Sequence, residues 1–275
     1  MPPSTPTPRS TSPSVLASAP APAPSTVAVA VAQPVCAAPG RPDTVAVNVG
    51  RHAEAVREAG TRLVVFPELS LTGYDLTAPA VDPADPRLAP LVEACAATGA
   101  LALVGAPVAE ADGRESVATL AVTGQGATVV YRKMRLHGAE SDRFAPGEKP
   151  VVLELDGLRL GLAVCADAAD PTHAAETAAL GIDAYVASTL YGPGEAQAER
   201  LDGHLRERAT AHRVWGVLST SAGASGEFAE TSGRSGIWSP DGTVVAQLGP
   251  EPGTLLRFDL PRPAPSARQG GSDTP

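Results

Sequence analysis

The stretch Val151-Val-Leu-Glu-Leu155-Asp156-Gly157-Leu158-Arg-Leu-Gly-Leu-Ala-Val-Cys165-Ala166-Asp167 decides how this chain is to be read. Asp-Gly between two apolar runs is a strong hairpin signal, because both residues accept the positive φ of a tight turn. The second run, Leu158–Cys165, is almost continuously apolar and bounded by turn residues, which predicts a strand buried on both faces. Its last residue is a thiol. In layered α/β folds a strand end of this kind opens onto a pocket. Taken alone, Cys165 reads more readily as a core cysteine, since free Cys is among the most buried residue types.

Two further sites change that balance. Arg62-Leu-Val-Val-Phe66-Pro67-Glu68 again sets a polar group directly after an apolar strand. Pro67 removes a backbone donor and turns the chain. Glu68 then sits beside a core, where burial raises a carboxyl toward the range of a working base. Val129-Val-Tyr-Arg-Lys133 is a third β-like run, ending in a cation. The chain holds two lysines, Lys133 and Lys149, against nineteen arginines. Lysine kept at this point in an arginine-rich chain favours a compact ammonium over a wide fork.

Outward from these sites, strands and helices alternate. Strands are predicted at Thr26–Gln33, Leu63–Phe66, Leu101–Gly105, Ala184–Ser188, Val214–Ser219, Val244–Leu248 and Thr254–Asp259. Ser116–Val122 and Ala127–Tyr131 flank Thr123-Gly-Gln-Gly126 as a hairpin. Helices are predicted at Asp43–Ala59 (capped by Asp43 or Thr44), Arg87–Thr98, Pro171–Leu180 (capped by Asp170) and Ala198–His212. Helices alternating with strands, with hairpins mixed in, give an α/β fold with mixed sheets. Residues 1–25 and 261–275 are rich in Pro, Ser, Thr and Ala and cannot bury enough surface to offset their ordering entropy. They read as disordered tails around one domain at 26–260.

Composition bounds the function. The 275 residues are 43% hydrophobic, enough for one large core. A net charge of −9 argues against nucleic acid and anionic membrane surfaces as partners. No stretch reaches the ~20 apolar residues of a membrane span. Three cysteines without framework spacing fit a reducing cytoplasm. The histidines show no metal-ligand spacing, and there is no glycine-rich phosphate loop. No metal and no cofactor is expected.

In order along the chain stand Phe66-Pro67-Glu68-Leu69 with Thr72-Gly73-Tyr74; Tyr131-Arg132-Lys133; Glu140 with Phe144-Ala-Pro146-Gly147; Cys165-Ala166-Asp167; and Gly233-Arg-Ser-Gly-Ile-Trp-Ser-Pro-Asp-Gly242. Together they resemble the carbon–nitrogen hydrolase (nitrilase) superfamily over roughly residues 26–260. The resemblance implies a four-layer α-β-β-α sandwich of two mixed sheets. It also implies a homodimer or larger assembly and a Glu68, Lys133, Cys165 catalytic set acting on a small-molecule amide.

A thiol of pKa about 8.5 is scarcely ionised at neutral pH, so Glu68 serves as its base and Lys133 eases formation of thiolate. Lys133 and the Ala166 N–H would bind the developing oxyanion, worth ~3 kcal/mol per donor. Glu140 matches the family's second glutamate; otherwise it is one charge in the solvated run Glu140-Ser-Asp-Arg143. Tyr74 either lines the pocket or packs on the core, and Tyr191, in the loop Tyr191-Gly-Pro-Gly194, either edges the pocket or merely connects. Many members carry an aromatic residue where Ala166 stands, and several carbamoyl-acid hydrolases carry arginine where Ala168 and Ala169 stand. A carboxylate clamp at that spot is not expected, leaving Arg143 or Arg234 as alternatives. Asp167 is read as a cap on backbone amides, His173 as a surface residue, and Trp215 and Trp238 as core. Hydrolysis of a small non-peptide amide through a thioester is the leading function, with carbamoyl compounds and nitriles as related substrates. Two others stand beside it. A catalytically inactive binding or partner protein would show a shallow or filled cavity at Cys165, and a Cys–His or redox protein would show a histidine beside it.

Overall fold

A computed structural model describes residues 1, 25–38 and 41–263. The expected tails therefore lie outside the described residues, apart from their innermost positions and Met1. The first half of the chain runs β1 (Thr26–Gln33), α1 (Thr44–Ala59), β2 (Leu63–Val65), α2 (Ala89–Thr98), β3 (Leu101–Ala109), β4 (Glu115–Thr123) and β5 (Gly126–Arg132). The second runs β6 (Val152–Leu155), β7 (Leu158–Val164), α3 (Ala166–Ala169), α4 (Pro171–Ala179), β8 (Ala184–Thr189), α5 (Glu195–His212), β9 (Trp215–Thr220), β10 (Gly236–Trp238), β11 (Val244–Gln247) and β12 (Thr254–Pro261).

These strands form two six-stranded sheets, ordered β12-β1-β2-β3-β4-β5 and β11-β10-β9-β8-β7-β6. Each has parallel central pairs, β1–β2–β3 and β7–β8–β9, and antiparallel flanks. Alternation along single strands explains the layering. In β1, Val27, Val29 and Val31 enter the core between the sheets, whereas Ala30 and Ala32 face the layer of α1 and α2. In β7, Leu158, Leu160, Leu162 and Val164 face the other sheet while Ala163 faces the helices α4 and α5. Gly161 lies on that helix side; a Cβ there would stand 2.5 Å from Thr177 Cγ2 and 2.8 Å from Ile182 Cδ1. The apolar run is thus an alternation of large and small, with bulk between the sheets and room for a helix outside. The result is the expected α-β-β-α sandwich.

The Asp156-Gly157 turn has φ of 47° and 87°, the positive pair a type I′ turn requires. Asp170 caps α4 by accepting from the Thr172 amide at 2.8 Å. Several expectations need correction. Asp43 precedes α1 but makes no capping bond, because its carboxylate pairs with Arg41 at 3.0 Å. β3 runs four residues past Gly105, through Pro107. The proline is accommodated because β2 stops opposite Leu103, so β3 has no β2 partner there to receive its missing N–H. Trp238 is fully buried, but Trp215 is only half-buried, tilted against Phe258 with ring centroids 5.4 Å apart.

Candidate active site

Three strand exits deliver the side chains. Past β2, the Phe66 amide still pairs with the Leu103 carbonyl at 2.9 Å, and the chain then turns sharply through Leu69, whose φ is 49°. The turn lies so close to β3 that a Cβ on Gly105 would run into the Leu69 amide and stand 2.9 Å from the Pro67 carbonyl oxygen. Glu68 therefore owes its place to a residue without a side chain on the neighbouring strand. Lys133 follows β5 directly, held by its own N–H to the Val117 carbonyl and by the Gly147 N–H to its carbonyl, both at 2.8 Å. Cys165 follows β7, with φ 47° and ψ −101°, at the sharp turn into α3. A non-glycine residue in this conformation is strained, and such strain is commonly stored where a nucleophile must be presented.

The side chains converge. The Lys133 ammonium donates to Glu68 Oε1 at 2.7 Å and to Glu140 Oε1 at 2.6 Å, and all three side chains are 0–1% exposed. Glu140 also accepts from the Tyr74 hydroxyl at 2.6 Å and from the His137 amide at 2.8 Å. Its alternative reading as a solvated charge is therefore overturned; a 3₁₀ turn at Gly138–Asp142 rolls it inward. Tyr74 stands edge-on to Phe228, centroids 5.5 Å apart. The half-buried Cys165 thiol donates to the Leu190 carbonyl at 3.5 Å and also faces the Glu68 carboxyl, whose Oε2 has no hydrogen bond of good geometry. Oε2 is thus a buried acceptor left without a partner. Ala166 is half-buried at the start of α3. Tyr191 is buried, its hydroxyl 3.1 Å from His204 Nδ1 and its ring beneath the Arg200 guanidinium, yet near enough to feel the charge of Cys165.

The electrostatics follow from burial. Glu68 is pushed up to about 7, chiefly by desolvation, with Lys133 opposing and Glu140 adding to the rise. Burial also pushes the Cys165 thiol well above its ordinary value, and the nearby Glu68 charge adds to this. Burial alone would lower Lys133, but the anionic charge around it holds the ammonium above its ordinary range. The resting state is a neutral thiol beside a carboxyl poised near neutrality and a fixed cation.

Other expectations resolve differently. Asp167 does cap amides, accepting from Met134, Arg135 and Val164 at 3.1, 2.7 and 3.0 Å. His173 is not on the surface: it is 0% exposed, between the hydroxyls of Tyr131 and Tyr185. The helical face of His173, Ala174 and Thr177, turned to β7, was the available signal. Arg143 is committed to Glu115 and the Leu76 carbonyl, both at 2.6 Å, and Arg234 to Glu195 and Asp202 at 2.6 and 2.8 Å. Neither is free to clamp a substrate carboxylate. Among the described residues, no group of three His, Cys, Asp or Glu is arranged to hold a metal ion. Surface clefts of ≈ 400 Å³ beside Lys149 and ≈ 590 Å³ beside Cys95 include none of Glu68, Lys133 and Cys165. Sequence reasoning missed Gly105 and the buried His173 cluster.

Known proteins resemble this chain over most of its length. A hydrolase of Mycobacterium tuberculosis is 34% identical over 227 residues, covering 76% of this chain and 81% of its own length. An (R)-stereoselective amidase of Pseudomonas sp. is 27% identical over 220 residues, covering 76% of this chain and 78% of its own. Among solved structures, the amidase of Nesterenkonia sp. AN1 superposes with a TM-score of 0.74 at 26% identity, over 86% of this chain and 91% of that one. In that structure, a variant enzyme carries the acetamide moiety of fluoroacetamide covalently added at its active-site cysteine. The family model for carbon–nitrogen hydrolase matches residues 26–264, and the chain belongs to that family, among the amidase-like enzymes of the nitrilase superfamily.

Proposed function

We propose that this enzyme hydrolyses the carbon–nitrogen bond of a small non-peptide amide through a thioester at Cys165, with carbamoyl compounds and nitriles as related substrates. The observation that carries this reading is Glu68: a buried carboxyl at about 7, its Oε1 on Lys133, its Oε2 unpartnered and the Cys165 thiol beside it. Glu68 takes the Cys165 proton as sulfur bonds to the amide carbon. The carbonyl oxygen becomes an oxyanion beside the Lys133 ammonium and the Ala166 N–H. As the carbon–nitrogen bond breaks, Glu68 returns the proton to nitrogen, and ammonia or an amine leaves. Glu68 then deprotonates water, which attacks the thioester, and the acid departs as sulfur regains its proton. Glu140 and Tyr74 hold the ammonium between two carboxylates, and Tyr191 borders the acyl side. No step calls on a metal or cofactor.

The cysteine adduct in the Nesterenkonia amidase supports a nucleophilic cysteine, which the thioester step requires. The same reading takes residues 26–260 as the working domain, in a cytoplasmic homodimer or larger assembly, to be checked by light scattering. Three free cysteines support a reducing compartment, and no helix among the described residues is long and apolar enough to cross a membrane. The deciding experiment measures ammonia or amine release from a panel of amides, carbamoyl compounds and nitriles. Native protein is expected to release product from at least one compound, and Cys165→Ala from none. Equal release by both would end the thiol mechanism.

A further inference from the structure

Beside the reacting groups lies a second buried polar cluster that this chemistry does not use. His173 Nε2 is 2.9 Å from the Tyr131 hydroxyl, and its Nδ1 is 2.9 Å from the Tyr185 hydroxyl. The Tyr131 hydroxyl donates to Asp167 Oδ2 at 2.8 Å. The same carboxylate takes the amides of Met134 and Arg135 on Oδ1 and that of Val164 on Oδ2. Met134 and Arg135 follow Lys133 directly; Val164 immediately precedes Cys165. One side chain therefore ties the segment bearing the ammonium, from the first sheet, to the segment bearing the thiol, from the second.

The Tyr131 proton fixes the polarity at one end of the cluster. A neutral imidazole carries one N–H. The Tyr131 hydroxyl has one proton, and it goes to Asp167. Nε2 must then be the donor to Tyr131, while the one proton of the Tyr185 hydroxyl lies between Nδ1 at 2.9 Å and the Asp167 carbonyl oxygen at 3.3 Å. The other tautomer would draw the Tyr131 proton toward His173 and take a donor away from Asp167. An orphaned donor or acceptor at this depth is costly, so the run from His173 Nε2 through Tyr131 to Asp167 holds one polarity.

We propose that His173, acting through Tyr131 and Asp167, is a positioning residue that fixes the Lys133 ammonium relative to the Cys165 thiol. The inference rests on the reading of Glu68, Lys133 and Cys165 given above. It differs from a purely structural role, in which the imidazole only satisfies two buried hydroxyls and its loss lowers stability without changing the folded site.

The two ends of the imidazole separate these roles. In His173→Gln the amide reaches the place of Nε2 and keeps a donor toward Tyr131. In His173→Asn it reaches the place of Nδ1, keeping a partner for Tyr185 and none for Tyr131. Two quantities are read: the rate at which iodoacetamide labels Cys165, followed by peptide mass mapping, and kcat and KM on an amide the native enzyme hydrolyses. His173→Gln is expected to stay within about threefold of native, while His173→Asn and Tyr131→Phe lose roughly tenfold or more in labelling and kcat at nearly unchanged KM. The proposal is overturned if folded His173→Asn and Tyr131→Phe label at the native rate, or if Gln and Asn lose equally. Should His173→Asn fail to fold, Tyr131→Phe, which keeps the ring and deletes one hydroxyl, decides by the same labelling rate. Labelling needs no substrate. A native protein that labels at Cys165 but releases no amine would count against the amide reading alone.

Discussion

Cys95 and Cys165 share an electrostatic condition and differ in everything else. Burial pushes the Cys95 thiol up to about 11 and pushes Cys165 further. Judged by thiol acidity, Cys165 is the less reactive of the two. Cys95 lies in the apolar layer of α2 against β3, with only the Ala102 backbone to influence it. Cys165 sits on a strained turn at the end of β7, facing a carboxyl that is itself held near 7 by burial. When thiol and base are desolvated together, both are poor ions, and proton transfer between them costs less than either shift implies. A nucleophile is recognised here by the acceptor buried with it, not by its own acidity.

The comparison can be broken most severely at the cation. Lys133→Met leaves Glu68 and Glu140 buried without their shared partner. Turnover is expected to fall by about 10²–10³-fold, the usual loss on removing one oxyanion donor. Melting should reveal a stability loss of roughly 3–5 kcal/mol from the uncompensated charges. Native stability in this variant would mean that the two carboxyls had simply taken up protons.

Gly105→Ala is the next largest. The new methyl presses on the Glu68 turn without touching Cys165, and kcat should drop about 10²-fold through misplacement of the base. Labelling of Cys165 by iodoacetamide should fall as well, because alkylation also needs Glu68 to take the thiol proton; native labelling would show that the base had not moved.

The pH dependence sharpens the same point. Glu68 must be ionised to act as base, so kcat/KM should rise as pH increases through about 7 and then level off, since Lys133 stays charged well above that range. Because Glu140 adds to the rise of Glu68, Glu140→Gln should move this limb to lower pH. A limb that stays put would assign it to another group. Smallest of all is Cys95→Ala: unaltered kcat/KM, and a stability loss of about 1 kcal/mol from a small void in the layer of α2.

Much of this was legible in the sequence because it depends on neighbours along the chain. The alternation in Thr26–Gln33 and Leu158–Val164, the Asp156-Gly157 turn and the strand-exit positions of Glu68, Lys133 and Cys165 are local patterns. What stayed hidden depends on contacts between distant segments. Glu140 sits in a charged run and goes inward only because Lys133 and Tyr74 await it. His173 follows Asp-Pro-Thr at a helix start, yet two tyrosines from different strands enclose it. Arg143 and Arg234 offer cations that local carboxylates already occupy. The four-residue α3 and three-residue β10 are too short to show a period. Ala166, which replaces a common aromatic, leaves the turn and the convergence at Cys165 intact.

The backbone at Cys165 has a consequence for how this enzyme can change over time. A φ of 47° with ψ of −101° suits glycine far better than cysteine, and holding a side chain there costs about 1–3 kcal/mol. Drift toward greater stability would therefore favour losing the thiol at the one position where its loss ends catalysis. Descendants released from selection for activity should shed this cysteine early and melt higher for having done so, while the sandwich around it persists.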